Sequence, residues 1–203
     1  MVGEQRDVEK HEFVPEDYFR PVEKESLFPG DRPIELDVGC GDGRFLLAMA
    51  KEHPDRDFLG LERLLGRMRK VCRRAEKQSL ENVKVLRLES SYALECLLPA
   101  AAFSRLHVLF PEPWPKKRHH QRRIVQTANL PFFARVLGAQ GEFLFKTDHE
   151  PYHDDGRAAI RESGLFEELP WEDDMFFYSR TDFEEHWLGQ GKPIYRSRFR
   201  RIS

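Results

Sequence analysis

The sequence has few of the features that mark secreted or membrane proteins. Its 203 residues include only three cysteines, Cys40, Cys72 and Cys96, and no two of them form a C-x-x-C pair. This spacing argues against a disulfide framework and against a structural zinc site. The sequence contains no run of about 18 apolar residues, and its first residues are polar and acidic, unlike a signal peptide. We therefore expect a cytoplasmic protein without a membrane span.

Two phosphate-binding motifs are also missing or incomplete. No G-x-x-x-x-G-K-[ST] segment occurs, which excludes a P-loop. A glycine-rich turn begins at Gly39, but the last position of the G-x-G-x-x-G dinucleotide fingerprint is Arg44 instead of a small residue. Because that position needs close helix packing, a pyrophosphate site is disfavoured.

Strand and helix patterns alternate from Pro33 onward. Strands are predicted at 34–38, 57–61, 83–88, 103–110, 141–147, 175–178 and 194–199, and helices at 44–53, 64–77, 93–98, 124–137 and 152–163, with Gly138 as a helix cap. Five strand–helix alternations predict an α/β fold with a mostly parallel sheet and helices on both faces. We interpret residues 33–203 as one domain and residues 1–32 as a partly mobile arm.

The net charge of −2 hides a strong segregation of charge along the chain. Residues 33–147 carry 13 acids and 20 bases, whereas residues 148–185 carry 13 acids and three bases. Such segregation is expected when one face meets a polyanion and another faces solvent.

The glycine-rich turn predicts a ligand site, since ligands of parallel sheets bind outside the carboxyl ends of the strands. Gly39 and Gly41 let the backbone approach a ligand, and Asp37 just before them favours a ligand with a cationic end and no phosphate. S-adenosylmethionine, with its sulfonium and ammonium groups, is such a ligand. Glu62, at the next strand end, suits both ribose hydroxyls, although NAD would use the same acid; Glu89 follows the third strand.

The segment Pro111–Arg123 reads P-E-P-W-P-K-K-R-H-H-Q-R-R and directly follows a predicted strand. Its three prolines in five residues predict a stiff, non-helical loop that carries Glu112 and Trp114. Five Lys/Arg and two His follow within eight residues. An acid, an indole and dense positive charge suit a guanine attached to a polyanion, although a solvated basic turn is the plainer alternative. Trp114 is equally compatible with stacking and with anchoring in the core.

Other charged groups are open to plainer interpretations. The arginines of the last strand, Arg196, Arg198 and Arg200, form either an RNA surface or a solvated edge strand. The basic helix over 63–77 is interpreted as mainly solvated. His119 with His120, and His149 with His153, have no identifiable third ligand, so we predict no metal site.

Taken together, these residues resemble the bacterial tRNA (guanine-N7-)-methyltransferase family. The family pattern F-P-D-P-W-x-K followed by R-H-x-K-R-R corresponds to F-P-E-P-W-P-K at 110–116 and R-H-H-Q-R-R at 118–123. Its T-D and T-x-F-E correspond to 147–148 and 181–184. The resemblance runs from about residue 34 to the C-terminus and implies a Rossmann-like class I methyltransferase fold.

The resemblance also implies roles for individual residues. It implies that the cofactor, S-adenosylmethionine, contacts Asp37, Gly39, Gly41, Glu62, Glu89 and Glu112. It places Glu112 at the reaction centre, and implies that the substrate contacts Lys116, Asp148, Thr181, Asp182, Phe183 and Glu184. We expect Arg118, Arg122 and Arg123 to meet RNA phosphates. Asp148 could instead cap the helix that follows it.

The chain departs from the family pattern at several positions. Glu112 and Glu89 replace Asp, Asp37 replaces Glu, and Gln121 replaces Lys. The three acids keep their charge but change reach by one methylene. The continuation after Glu184, E-H-W-L, differs from the usual R-G.

The predicted function is therefore methyl transfer from S-adenosylmethionine to N7 of a guanine in the variable loop of tRNA. Two alternatives stay open: a catalytically degenerate RNA-binding module, and a nicotinamide-dependent oxidoreductase. The sequence leaves the oligomeric state open between monomer and homodimer.

Overall fold

The computed structural model describes residues 9–172 and 176–202. The strands are β1 (Glu12–Phe13), β2 (Ile34–Val38), β3 (Asp57–Leu61), β4 (Val83–Leu86), β5 (Phe103–Leu109), β6 (Leu137–Thr147), β7 (Phe166–Leu169) and β8 (Tyr195–Arg201). The α-helices are α1 (Lys24–Leu27), α2 (Arg44–Glu52), α3 (Leu65–Lys77), α4 (Ser90–Tyr92), α5 (Leu130–Val136), α6 (Glu150–Glu162) and α7 (Asp182–Gly189). A π-helical turn, Ala93–Leu97, continues α4, and two 3₁₀ helices span Lys117–Arg122 and Thr127–Asn129.

The described strands form one eight-stranded sheet in the order β1-β4-β3-β2-β5-β6-β8-β7. All pairings from β1 to β6 are parallel, and β8 is antiparallel to both β6 and β7. Every residue of β2 and β3 is buried, as expected for central parallel strands that helices cover on both faces. The predicted α/β class is confirmed.

Two hydrophobic clusters cover opposite faces of the sheet. Phe58 and Leu59 follow one another in β3 and therefore point to opposite faces, and they belong to different clusters. The smaller cluster packs α2 and α3 against β3 and β4. The larger cluster joins the central strands to the π-helical turn, α5 and α6.

Several predicted elements differ from the structure. The helix predicted over 124–137 is only a 3₁₀ turn followed by α5, because Pro131 lacks an N–H and cannot continue a preceding helix. Gly138 lies inside β6 and caps no helix, since β6 begins at Leu137. The basic loop is not wholly irregular, because its second half forms the 3₁₀ helix Lys117–Arg122.

The C-terminal part of the sheet also differs from the sequence-based interpretation. Residues 176–178 form no strand, and Met175 lies outside the described residues. Strand β7 was not predicted from the sequence, and two of its four residues are glutamates. Because β7 pairs along β8, β8 is not a solvated edge strand. Arg198 contacts Glu142, and Arg200 contacts Glu167.

The described part of the N-terminal arm contacts both the sheet and α4. Strand β1 pairs with β4, and the His11 ring lies 3.0 Å from the Val83 carbonyl oxygen. Farther along, the Tyr92 hydroxyl donates to the Tyr18 carbonyl at 2.8 Å. The division of the chain at residues 32 and 33 stays a prediction.

Gly43 sets how closely α2 packs on α3. It caps the N-terminus of α2 with a φ of 75°, and a Cβ at this position would lie 2.6 Å from Cγ1 of Val71. Val71 is fully buried in α3, so it has little room to move. No other residue type fits here without shifting one helix.

We expect Gly43→Ala to lower the free energy of unfolding by about 2–4 kcal/mol, the sum of an overpacked contact and a left-handed backbone. Denaturant-induced unfolding measures the change. Gly189→Ala is the matched control, because a Cβ at this helix end meets nothing within 4 Å. Equal stability of the two variants would show that the contact with Val71 does not constrain the packing.

Candidate functional site

The predicted acidic residues gather at one edge of the sheet. Asp37 lies near the end of β2, Glu62 directly follows β3, and Glu89 follows β4. Glu112 and Asp148 follow β5 and β6 in the same way. Since β4, β3, β2, β5 and β6 are adjacent and parallel, their carboxyl ends meet at the same edge. This edge is the candidate site.

The glycine-rich turn between β2 and α2 leaves its backbone open. Gly39 and Gly41 have φ values of 81° and 57°, which favour glycine. A Cβ at either position would meet no atom within 4 Å, so a side chain would project into open space instead of into the protein. A ligand can therefore approach this backbone closely.

Asp37 and Glu62 form a nearly buried pair of acids at this edge of the sheet. Asp37 is 3% exposed, and burial together with the nearby Glu62 raises its pKa to about 8. Glu62 is 6% exposed, and its Oε1 accepts a hydrogen bond from the backbone N–H of Leu64 at 2.8 Å. Neither acid forms an ion pair with any residue that the structure describes. A ligand with a cationic end and hydroxyl donors fits this pair, as S-adenosylmethionine does.

Glu89 has a structural contact at the rim of the candidate site. Its Oε2 accepts from the backbone N–H of Tyr92 at 2.9 Å and caps α4. This contact holds the side chain at the sheet edge. Glu89 is exposed, so the cap does not prevent contact with a ligand.

The loop that carries Glu112 has a strained backbone. Phe110 and Trp114 flank the Pro-Glu-Pro segment with φ values of 50° and 44°, which are unusual for bulky residues. The N–H of Phe110 donates to the Lys146 carbonyl at 2.8 Å and ties the loop to β6. Glu112 itself is exposed. Strain of this kind is concentrated at binding and catalytic sites.

Arg123 is placed differently from the other predicted phosphate ligands. It is 3% exposed, and its Nε donates to the Pro113 carbonyl at 2.8 Å. Its Nη1 contacts Asp155 at 2.8 Å, and its guanidinium lies over the Tyr152 ring. This placement argues against a phosphate contact. Arg123 instead holds the loop against α6.

The remaining cations of the loop are exposed. Lys116, Arg118 and Arg122 all face solvent, and the Arg122 guanidinium lies 5.0 Å from the centre of the Trp114 ring. Trp114 is half-buried, contacts His119 edge-on, and lies outside both hydrophobic clusters. The indole therefore organises the loop itself and does not anchor it in the core.

The segment 181–184 is joined by ion pairs to the start of α2 and to β6. The Thr181 hydroxyl accepts from the N–H of Glu184 and caps α7. Glu184 is buried and accepts from Nζ of Lys146 at 2.9 and 3.0 Å. Asp182 pairs with Arg44 at the start of α2. Thr181 and Glu184 thus stabilise this segment, and Asp182 joins it to the glycine-rich turn.

Phe183 is the exposed apolar side chain of this segment. It is 57% exposed, and its ring stacks on that of Phe110 with centres 6.3 Å apart and planes 21° apart. The contact places a flat apolar surface beside the Glu112 loop. Such a surface can stack a base.

Asp148 does not cap the following helix. The cap of α6 is His149, whose Nδ1 accepts from the N–H of Tyr152 at 3.1 Å. Asp148 is half-buried next to the end of β6. Asp148 therefore does not have the alternative role of a helix cap.

Sequence reasoning missed two residues that shape the site. Arg44 served only as evidence against a dinucleotide fingerprint, yet it pairs with both Asp182 and Glu185. Lys146 was not singled out, although it is 3% exposed and pairs with Glu184. No local signal identifies these pairs, because their partners lie far away in the sequence.

The described residues include neither a cluster of metal ligands nor a membrane-spanning helix. No group of three or more His, Cys, Asp or Glu residues among 9–172 and 176–202 is placed to hold a metal ion. In the same part of the chain, no helix is long and apolar enough to cross a membrane.

Comparison with known proteins supplies relatives over most of the chain. A family model described as a putative methyltransferase matches residues 31–197. A tRNA (guanine-N(7)-)-methyltransferase of Nitrosococcus oceani is 31% identical over 181 residues, which cover 89% of this chain and 77% of that protein. The protein of the same name from Leptospira interrogans is 34% identical over 190 residues, covering 88% and 87%.

Solved structures show the same fold at lower identity. The 16S rRNA methyltransferase KamB superposes with a TM-score of 0.61 at 19% identity, covering 84% of this chain and 88% of that one. The antibiotic-resistance methyltransferase Kmr gives a TM-score of 0.59 at 21% identity, covering 86% and 89%. At these identities, the likeness extends to the fold alone.

We expect Asp37→Asn to stabilise the protein increasingly as pH rises. The pKa of Asp37 is about 8 in the folded protein against an ordinary value of 3.8, so between those pH values the folded state holds a proton that the unfolded state releases. Stability then falls with rising pH by up to about 1.4 kcal/mol per unit, and asparagine removes that loss. Unfolding midpoints at pH 5 and pH 8 measure it.

Glu35→Gln is the control, because the pKa of buried Glu35 is lowered, whereas that of Asp37 is raised. Burial alone would raise the pKa of Glu35, but a hydrogen bond from His107 and the charges of His107, Arg105 and Arg56 lower it to about 2. The ionised Glu35 carboxylate therefore contributes its full stabilisation above pH 5. The free energy of unfolding that Glu35→Gln removes should be the same at pH 5 and at pH 8. An Asp37→Asn variant less stable than the parent at pH 8 would contradict the account.

Proposed function

This chain belongs to the tRNA (guanine-N7-)-methyltransferase family, and from that membership we propose that it transfers the methyl group of S-adenosylmethionine to N7 of a guanine in the variable loop of tRNA. The observation that carries the proposal is a juxtaposition at one sheet edge. An open glycine-rich turn with two unbalanced acids lies beside a strained loop that carries Glu112 among exposed cations. The first part suits a cationic cofactor, and the second suits a base on a polyanion.

The cofactor would be held by residues of β2, β3 and the turn between β2 and α2. Asp37 would face its cationic end, the backbone of Gly39 and Gly41 would lie against it, and Glu62 would accept from the ribose hydroxyls. Glu62 is already oriented by its hydrogen bond from Leu64. Glu89 lines the same cleft. When bound, the cofactor supplies an electrophilic methyl group.

The proposed reaction depends mainly on how the protein positions the base against the cofactor. Guanine N7 has a free lone pair and no proton to lose, so transfer needs in-line approach more than a general base. Methylation makes the imidazole ring of guanine cationic, and a fixed carboxylate stabilises that growing charge. Glu112 has this role in our proposal, with Asp148 as the second candidate.

The RNA would be held around Glu112 by groups that face outward. Lys116, Arg118 and Arg122 are exposed and would contact phosphates. The exposed ring of Phe183, supported by Phe110, would stack a base. Arg123 would act indirectly, by keeping the loop in place.

Two alternative functions fit the site less well. A nicotinamide oxidoreductase needs a small residue at the position of Arg44, which here makes two ion pairs across the cleft. A degenerate RNA-binding module has no use for two nearly buried acids, and here burial and then Glu62 raise the pKa of Asp37 to about 8. The costly acid pair instead favours an occupied cofactor site.

We also propose a cellular compartment for the enzyme and a division of its chain. We place the enzyme in the cytoplasm, because its three cysteines are all free among the described residues, as suits a reducing compartment. Residues 33–203 would form the methyltransferase domain and residues 1–32 its arm. No metal takes part in the proposed reaction.

Incubation with an unmodified tRNA transcript and methyl-labelled S-adenosylmethionine, followed by nuclease digestion and nucleoside chromatography, tests the proposed function. We expect label in 7-methylguanosine, located in the variable loop by chemical cleavage at the modified base. A 16S rRNA fragment serves as the competing substrate. Label in another nucleoside, or only in the rRNA, would contradict the proposal.

Glu112→Gln should lower the single-turnover rate of tRNA methylation by about two orders of magnitude, because it removes the charge that opposes the forming cationic ring. Cofactor affinity, measured by calorimetry, should change far less. Glu112→Asp restores the usual family residue and should keep measurable activity. A Glu112→Gln variant as fast as the parent would transfer the role to Asp148, to be tested as Asp148→Asn.

A further inference from the structure

Helix α3 carries a row of cations that the proposed mechanism does not use. Its 13 residues include six Lys/Arg and one Glu. Met68, Val71, Cys72 and Ala75 form its buried face. Arg67, Lys70, Arg74 and Lys77 recur at intervals of three and four residues and therefore lie on the opposite face. We call these four residues the α3 cation row.

A groove runs along this helix. Its volume is about 430 Å³, and it is lined by Gly66, Arg69, Lys70, Arg73, Arg74 and Lys77. Five of these six residues are cations, and none is an acid. Gly66 contributes open space, since a Cβ there would meet nothing within 4 Å. A groove with this lining fits a polyanion.

Only part of this positive charge is balanced within the protein. Lys70 pairs with Asp42 of the glycine-rich turn, and Arg74 donates to the Asp42 carbonyl at 3.0 Å. On the flank, Arg69 and Arg73 lie 3.5 and 3.8 Å from Glu9. Arg67 and Lys77 have no ion pair with any residue that the structure describes. A merely solvated helix usually alternates the sign of its charges, which α3 does not.

The position of α3 links the groove to the candidate site. The helix begins three residues after Glu62 and extends for about 20 Å at 1.5 Å per residue. Strand β3, which leads into α3, and strand β5, which leads into the basic loop, lie on either side of β2. Two cationic surfaces therefore flank the glycine-rich turn, on opposite sides of the switch in strand order.

We propose that the α3 cation row is a second phosphate-binding surface, which holds the RNA backbone of the tRNA substrate at a distance from the target guanine. This inference rests on the proposed function for the identity of the RNA. The basic loop holds the backbone next to the reacting base. The α3 cation row holds a separate stretch of the same molecule and so adds affinity without touching the reacting atoms.

The test compares two double variants that each remove two positive charges. Arg67→Gln with Lys77→Gln alters the α3 cation row and leaves the contacts of Lys70 and Arg74 with the glycine-rich turn intact. Lys24→Gln with Lys51→Gln is the matched control, on α1 and α2, since these two lysines likewise have no ion pair with any residue that the structure describes. Fluorescence anisotropy measures binding of unmodified tRNA between 50 and about 200 mM salt, the range over which counterion release is strong.

We expect the α3 variant to reduce the slope of log affinity against log salt by about 1.4 to 1.8, the value for two lost phosphate contacts. Its KM for tRNA should rise, while kcat and the calorimetric affinity for S-adenosylmethionine stay at the parent values. The control should keep the parent slope. An α3 variant with the parent slope, or an equal loss in the control, would overturn the proposal.

Two further outcomes distinguish the second phosphate-binding surface from the proposed function and from membrane binding. If the parent protein methylates tRNA at guanine N7 but the α3 variant keeps the parent slope, the proposed function stands and the second surface does not. Sedimentation with vesicles of phosphatidylglycerol tests a membrane as the partner. Vesicle binding that is lost in the α3 variant while its tRNA binding is unchanged would assign the α3 cation row to anionic lipid and overturn the proposal.

Discussion

Two carboxylates held side by side without a cation are the constraint on which the site depends. Strands β2 and β3 are paired in register from Ile34 with Asp57 to Val38 with Leu61, so Asp37 and Glu62 cannot move apart without breaking the centre of the sheet. Both are nearly buried, and burial of charge without a partner is costly. The folded protein relieves this cost through the raised pKa of Asp37. A bound cation would relieve it more completely, because both acids could then be ionised.

The neighbouring groups preserve this arrangement. Burial, followed by the charges of Asp37 and Glu62, raises the pKa of the Cys40 thiol, so it stays neutral and adds no negative charge beside the two acids. The cleft is closed by long-range pairs, with Arg44 on Asp182 and Lys146 on Glu184. Arg123 fastens the opposite loop through Pro113 and Asp155. The walls of the site are thus tied to helices α2 and α6 instead of depending on flexible loops.

The sequence predicted the parts of this architecture that have a local signal. Short apolar runs that end in glycine or an acid marked the central strands, and their parallel order placed the five acids at one edge. Phe166–Leu169 was missed because its glutamates are balanced by Arg157, Arg161 and Arg200, which no alternation reveals. Arg123 looks like its neighbours in sequence, since its burial depends on Tyr152 and Asp155 some 30 residues away. Which cations face the RNA in our proposal therefore depends on contacts with residues distant in sequence more than on local sequence propensity.

The most direct test is the number of protons released when S-adenosylmethionine binds, measured by calorimetry at pH 7 in buffers of different ionisation enthalpy. With a pKa of about 8, Asp37 is mostly protonated before binding and would become a carboxylate against the cationic ligand. We therefore expect the parent to release about one proton more than Asp37→Asn on binding. Equal proton release by the two proteins would contradict this expectation, because the protonation of Asp37 would then not depend on the bound cofactor.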